Sequence, residues 1–229
     1  SRSSIDNPIY TRRGSQFTLG LKITPPYSLI KGTTDAQYAQ MTTSEKYNLL
    51  EYHKWKFSGK VFTPLSADSK LVLMARAEFG YLGHYNKNVK SPFESYYMGG
   101  DGMSSYSSYS TEYIAMRGYQ SGSLTPYDPA TGRNMGYVFN KFTMELRYPI
   151  ALEQNATIWA LAFVEAGNCF ADIRDYNPFN LKRSAGIGVR LFLPMFGLMG
   201  IDWGWGFDPI NGSTQYGGSQ FHFVLGQEL

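Results

Sequence analysis

One stretch of this sequence combines residue types that could hold charge inside a protein. Met116-Arg117-Gly118-Tyr119 sets an arginine beside a glycine and an aromatic ring, within a long connecting segment. Further along, Glu145 and Glu165 occupy polar positions of two alternating segments. If those positions face an enclosed interior, the carboxylates are held away from water. An arginine folded inward would neutralise them through charge-assisted, bidentate hydrogen bonds. Gly118 would let the backbone turn sharply and approach a wall. Spacing alone leaves a second reading open, that of three unrelated surface charges.

Other chemistry is thinly represented. His53, His84 and His222 lie far apart, with no H-x-x-x-H spacing, so no metal site is expected. Neither a G-x-S-x-G elbow nor a phosphate-binding P-loop occurs. A Ser–His–acid site assembled across strands, as in an outer-membrane lipase, stays open, because triads are geometric and not sequential. The Gly-Gly-Asp-Gly run from Gly99 to Gly102 could suggest phosphate or calcium binding, but a tight turn at a strand end is the preferred reading. Cys169 stands alone, which excludes an internal disulfide and a cysteine-based zinc cluster. The expectation is a non-enzymatic chain without cofactors.

Composition narrows the class. Of the 229 residues only 17% are charged while 16% are aromatic, the opposite of a disordered chain. The net charge of +3, with no lysine or arginine block, argues against a nucleic-acid partner. No run approaches the roughly 18 apolar residues of a transmembrane helix. A mean hydropathy of −0.31 does not imply solubility, because a membrane β-barrel alternates apolar and polar residues and averages to a mild value. The chain starts at Ser1 without an initiator methionine, which reads as a processed chain or a cut fragment.

The elements that must position these residues alternate with period two. Eight such segments run from Ser15 to Thr24, His53 to Thr63, Lys70 to Leu82, Tyr137 to Tyr148, Thr157 to Gly167, Ser184 to Leu193, Leu198 to Phe207 and Gln220 to Leu229. Each is about 10 residues, the length of a tilted strand across hydrocarbon. In the first, Phe17, Leu19, Leu21 and Ile23 oppose Gln16, Thr18, Gly20 and Lys22. Helical periodicity is confined to the stretch from Ala36 to Leu50. Long connections alternate with short ones, which puts every long loop at one end and every short turn at the other. A soluble barrel or sandwich would alternate too, with its apolar face inward. Two features favour the membrane instead. Glycines share the polar face with Lys, Arg, Glu and Asp, as suits a crowded, hydrated lumen, and Trp and Tyr sit near strand ends. The fold class is therefore all-β, an antiparallel transmembrane β-barrel with about eight strands, forming one domain over residues 1–229.

These residues resemble a family. Tyr97-Met98-Gly99-Gly100 followed by Met116-Arg117-Gly118-Tyr119 is similar to the aromatic-x-Gly-Gly element and (V/I)RG(F/Y) loop of the BamA family of outer-membrane assembly barrels. Phe163-Val164-Glu165-Ala166-Gly167-Asn168 resembles its F-x-(D/E)-x-G-x strand motif. The run from Arg183 to Arg190, Pro194, and the strand from Leu198 to Phe207 resemble its penultimate hairpin, and Phe221 to Gln227 its closing strand. The Thr24-Pro25-Pro26-Tyr27 end and the Ser/Tyr-rich loop look like the Bacteroidetes branch.

The resemblance implies roles. Arg117 would pair with Glu165 inside the lumen, with Glu145 nearby, Phe163 in the strand motif and Tyr119 packed inward. Phe221, Phe223 and Leu225 would belong to a closing strand that forms a weak seam with the first. The implied function is insertion of β-barrel proteins into the bacterial outer membrane without ATP. The implied partners are outer-membrane lipids and, through a full-length parent, client barrels and assembly lipoproteins. A two-partner-secretion pore, or a small structural or adhesive barrel, remains an alternative. The family barrel has sixteen strands, so eight correspond to its last half. Ser1 to Arg13 would be the tail of the preceding hairpin, and the periplasmic POTRA modules are missing. If eight strands close alone, the strand of Phe17 must pair with that of Phe223, and the inward loop would be displaced for want of room.

Overall fold

A computed structural model describes residues 1–46, 48–86, 90–91, 93–102, 111–129, 132–153 and 155–226. Eight long strands carry it: β1 (Gly14–Ile23), β2 (His53–Pro64), β3 (Val72–Gly83), β4 (Val138–Leu152), β5 (Thr157–Phe170), β6 (Lys182–Leu193), β7 (Gly197–Pro209) and β8 (Tyr216–Leu225). They form one sheet in chain order, each antiparallel to the next. A two-residue strand, Arg2–Ser3, is added outside β1.

Several boundaries move from where alternation puts them, most at β4 and β8. β4 runs on through Pro149 to Leu152, and the register shifts between Ile158 and Trp159 of its partner. A proline cannot donate to the ladder, and a bulge accommodates it there. β8 begins at Tyr216 instead of Gln220, and residues 227–229 lie outside the described residues. The helical stretch from Ala36 to Leu50 resolves into two short pieces, Asp35–Gln40 and Thr43–Lys46, instead of one helix, and a further piece, Tyr27–Lys31, forms ahead of it where none was expected. Thr34 with Gln37 and Thr42 with Glu45 each make N-terminal capping contacts, so each begins a new helix.

The apolar side chains point outward. Leu146, Val164, Ile187, Ile201 and Phe221 are exposed, while Thr143, Glu145, Glu165, Ser184 and Asp202 on the alternate positions are buried. This removes the apolar-inward sandwich, whose core would hold the first set. An apolar band of this extent marks a surface made for lipid or protein contact.

The sheet is open, contrary to closure of eight strands on themselves: the Arg2–Ser3 strand and β8 end the strand order, and β1 and β8 do not pair with each other. The long loop is accordingly not displaced and lies on the inner face. Toward the long-loop end, Tyr96, Met98, Met116, Tyr119 and Phe139 form an apolar cluster. Toward the short-turn end, Tyr10, Met74, Trp159, Leu161 and Phe163 form a second. In strand register Lys141 and Glu165 lie between these two clusters, while Glu145, Arg147 and Arg190 are level with the second. Tyr10 belongs to a segment that folds in after Arg2–Ser3. Its hydroxyl donates to the carbonyls of Lys70 and Arg147, and its ring meets Trp159 edge-on at 5.7 Å.

Candidate functional site: a loop locked by charge on the inner face

The loop between β3 and β4 is organised before it reaches the sheet. Tyr96–Met98 pairs in parallel with Glu112–Ile114, and the N–H of Met116 donates to the carbonyl of Gly100 at 3.0 Å. Gly99, Gly100 and Gly102 all have positive φ, consistent with a turn. This parallel pair delivers Met116, Arg117, Gly118 and Tyr119 to the inner face, where the first two and Tyr119 are fully buried.

Arg117 meets three carboxylates. Its Nε and Nη2 donate to Glu165 Oε1 at 3.1 and 2.8 Å. Nη2 also donates to Glu145 Oε1 at 2.7 Å, and Nη1 to Asp202 Oδ2 at 3.3 Å. Its backbone N–H donates to Glu165 Oε2 at 2.9 Å. The guanidinium carbon lies 3.6 Å from the ring centre of Phe163, a cation–π stack. The carboxylates have further partners. Arg147 donates to Glu145 at 2.9 and 2.6 Å, Arg190 to Asp202 at 2.6 and 2.7 Å, and Lys141 lies 3.1 Å from Glu165. Charges this deeply desolvated persist only when paired and hydrogen-bonded, and this network supplies both.

The loop backbone lies against glycines of the last two strands. A Cβ at Gly204 would stand 2.8 Å from the Gly118 nitrogen, and one at Gly206 or Gly217 about 2.4 or 2.5 Å from its oxygen. These polar-face glycines therefore make room for main chain, which a hydrated lumen would not require. Gly118 itself has φ of +84° and a Cβ there would meet β7 backbone at 2.8 Å. Its N–H donates to Nε2 of His222 at 2.8 Å. Tyr119 donates through its hydroxyl to the carbonyl of Arg183 at 2.8 Å and accepts from the N–H of Asp208 at 3.3 Å.

The structure thus brings Met116, Arg117, Gly118 and Tyr119 together with Glu145, Phe163 and Glu165. It does not bring Phe221, Phe223 or Leu225 to them. Those three point outward from β8, 69%, 53% and 60% exposed. Asp202, Arg190, Arg147, Lys141 and His222 join the site, although the motifs do not single them out. Their only signal in the sequence is an ionisable residue on the polar side of an alternating strand.

Nearer the long-loop end a second set of charges ties the loop to β1 and β2. Lys54 lies 3.0 Å from Glu94 and 2.8 Å from Glu112, Lys22 lies 3.1 Å from Glu94, and Lys56 pairs with Glu112. Burial works against ionisation of Glu94, but the hydrogen bonds from Lys54 and Lys22 outweigh it and hold the carboxyl below its ordinary range.

Comparison with known proteins agrees with this architecture. The Omp85 superfamily domain matches residues 1–229. No curated protein matches the chain in sequence. Among solved structures, the crystal structure of BamA from Haemophilus ducreyi lacking POTRA domains 1-3 superposes with a TM-score of 0.63 at 18% identity. The match covers 96% of this chain and 40% of that one, so this chain spans less than half the length of that protein. At such identity the likeness concerns the fold. The superfamily comprises outer-membrane β-barrel proteins that insert or translocate other proteins. With its alternating strands, its outward apolar face and a domain match over its whole length, the chain belongs to the Omp85 superfamily.

Proposed function

We propose that this chain is the C-terminal barrel portion of an insertase that folds β-barrel proteins into the outer membrane without ATP. The observation that carries the reading is the contact between loop and last strand. Gly118 is seated on β7 and β8 and hydrogen-bonded to His222, so the buried charge network holds β8 in place from inside. The far edge of β8 carries no strand among the described residues. In a full-length barrel this edge is where β8 would meet the first strand or, when that seam opens, an incoming strand, while Phe221, Phe223 and Leu225 would face lipid. This role requires strand pairing and lipid contact, with no covalent chemistry. Clients and accessory lipoproteins would engage the full-length protein.

A translocation pore would need a continuous polar path. On this part of the wall, two clusters of buried apolar side chains interrupt the polar inner face. The test is cysteine cross-linking in cells, in the full-length protein, from Gln220 of β8 and from Ser58 of the inner wall. Bonds from Gln220 to the terminal strand of a nascent barrel support the insertase. Bonds from Ser58 to a secreted polypeptide, with none from Gln220, would replace it with a pore.

A further inference from the structure

The outward apolar face is not an even band. Strand register lays its side chains out in cross-strand rows. One row runs Tyr148, Ala160, Val189, Ile201 from β4 to β7, and the next runs Leu146, Ala162, Ile187, Trp203. In both rows β5 supplies an alanine where its neighbours supply larger side chains. Ala160 and Ala162 thus floor a furrow of about 650 Å³ that those larger side chains wall. A second furrow of about 550 Å³ lies across β6, β7 and β8 toward the short-turn end, lined by Leu191, Met199, Phe223 and Leu225. Val189 and Ile201, a cross-strand pair, line both. The two furrows are therefore neighbours with one wall in common. Among the described residues, no Asp, Glu, Lys, Arg or His lines either.

We propose that this pair of furrows seats one diacyl phospholipid of the periplasmic leaflet, an acyl chain in each, as a bound lipid. The furrows are continuous with the lipid-facing side of the sheet and run from mid-strand toward the short turns, the periplasmic end of such barrels. A void against the wall forfeits dispersion contacts, and a flexible hydrocarbon chain fills it. A protein partner fits less well. The walls on β4 and β6 stand two strand spacings apart, about 10 Å between main chains. That is too narrow for a helix of about 10–12 Å. An extended segment would enter, but its N–H and C=O groups would go unpaired in hydrocarbon. The indole N–H of Trp203 is no partner for them, because it already donates to Ser219 Oγ at 2.9 Å. With no charged wall, the chains and not the headgroup carry recognition. The inference shares with the proposed function a barrel standing in the outer membrane, and it does not rest on insertase activity.

The test is native mass spectrometry of the full-length protein, released from detergent after titration with phosphatidylethanolamine, phosphatidylglycerol or a single-chain lysophospholipid. One diacyl lipid should stay bound per barrel, with the two headgroups alike. The lysolipid should bind about tenfold more weakly, the scale of some ten lost carbon contacts. Ala162→Phe fills the first furrow and should weaken the diacyl lipid by about the same factor. It should leave the lysolipid little changed, since the second furrow still receives a chain. Ala160→Leu serves if that variant does not fold. Ala166→Phe, outside both furrows on the same strand, should change neither. No retained diacyl lipid in the wild type, a lysolipid bound as tightly, or undiminished retention in folded Ala162→Phe would overturn the proposal. A diazirine side chain installed at Ala162 in cells should attach to phospholipid, and attachment to a polypeptide instead would replace the lipid with a protein partner. None of these readouts needs a client, so the proposal and the insertase reading fail separately.

Discussion

The main-chain N–H of Gly118 donates to the side chain of His222 across 2.8 Å, joining the inward loop to the last strand. The acceptor is Nε2, so the imidazole is neutral with its proton on Nδ1. His222 faces Asp202 in the strand register, and Arg117 holds Asp202 from the loop side. Loop, β7 and β8 are thereby fastened at one place.

Removing the acceptor should loosen that place first. His222→Leu leaves a buried N–H without a partner, at a cost of about 1–3 kcal/mol. His222→Gln, which brings an amide oxygen, should recover part of it. Urea unfolding followed by heat-modifiability on a gel reads both. Equal stability of His222→Leu and wild type would show that the hydrogen bond does not hold the strand.

Arg117 should tolerate no replacement well. Arg117→Ala leaves Glu145, Glu165 and Asp202 without their shared cation, and breaking a buried pair costs about 3–5 kcal/mol. Arg117→Lys keeps the charge but not the fork that reaches three carboxylates. Arg117→Glu should be worst. The order Lys, Ala, Glu in unfolding midpoint is the expected result, and midpoints that coincide would contradict it.

Glycines that receive the loop should differ from glycines that merely face the interior. Gly206→Ala places a methyl against the Gly118 oxygen and should cost about 1–3 kcal/mol, like other overpacked sites. At Gly20, the nearest atom to an added Cβ is 3.8 Å away, so Gly20→Ala should be close to neutral. Similar losses at both would show that the close approach is not what selects glycine at 206.

Acid should release the outer part of the loop. The Glu94 carboxyl titrates below its usual range, so its pairing stabilises the fold above the unfolded value, about 4.3, and that contribution is lost as pH falls through the lower folded value. The protection of the Ser95 and Tyr96 amides, taken relative to their intrinsic exchange at each pH, should therefore fall on acidification. In Glu94→Gln that protection should be lowered at neutral pH and flat across the same range. An unchanged profile in that variant would rule out the Lys22–Glu94–Lys54 contacts as the cause.

The sequence by itself determined the strands and their two faces. Alternation with period two leaves Leu146 and Glu145, or Ile201 and Asp202, no choice but opposite sides, and the unequal connections set the two ends. It also marked Arg117, Glu145 and Glu165 as charges in search of an enclosure. Only the tertiary structure decided which residues meet. Asp202, Arg190 and His222 join the site through register between strands and through a loop that crosses the sheet, and neither is a local property of the chain. The same holds for the glycines of β7 and β8, whose reason is the backbone of Gly118, far earlier in the chain. Openness of the sheet, too, was beyond alternation, because each strand's pattern is the same whether the two edge strands meet or stay apart.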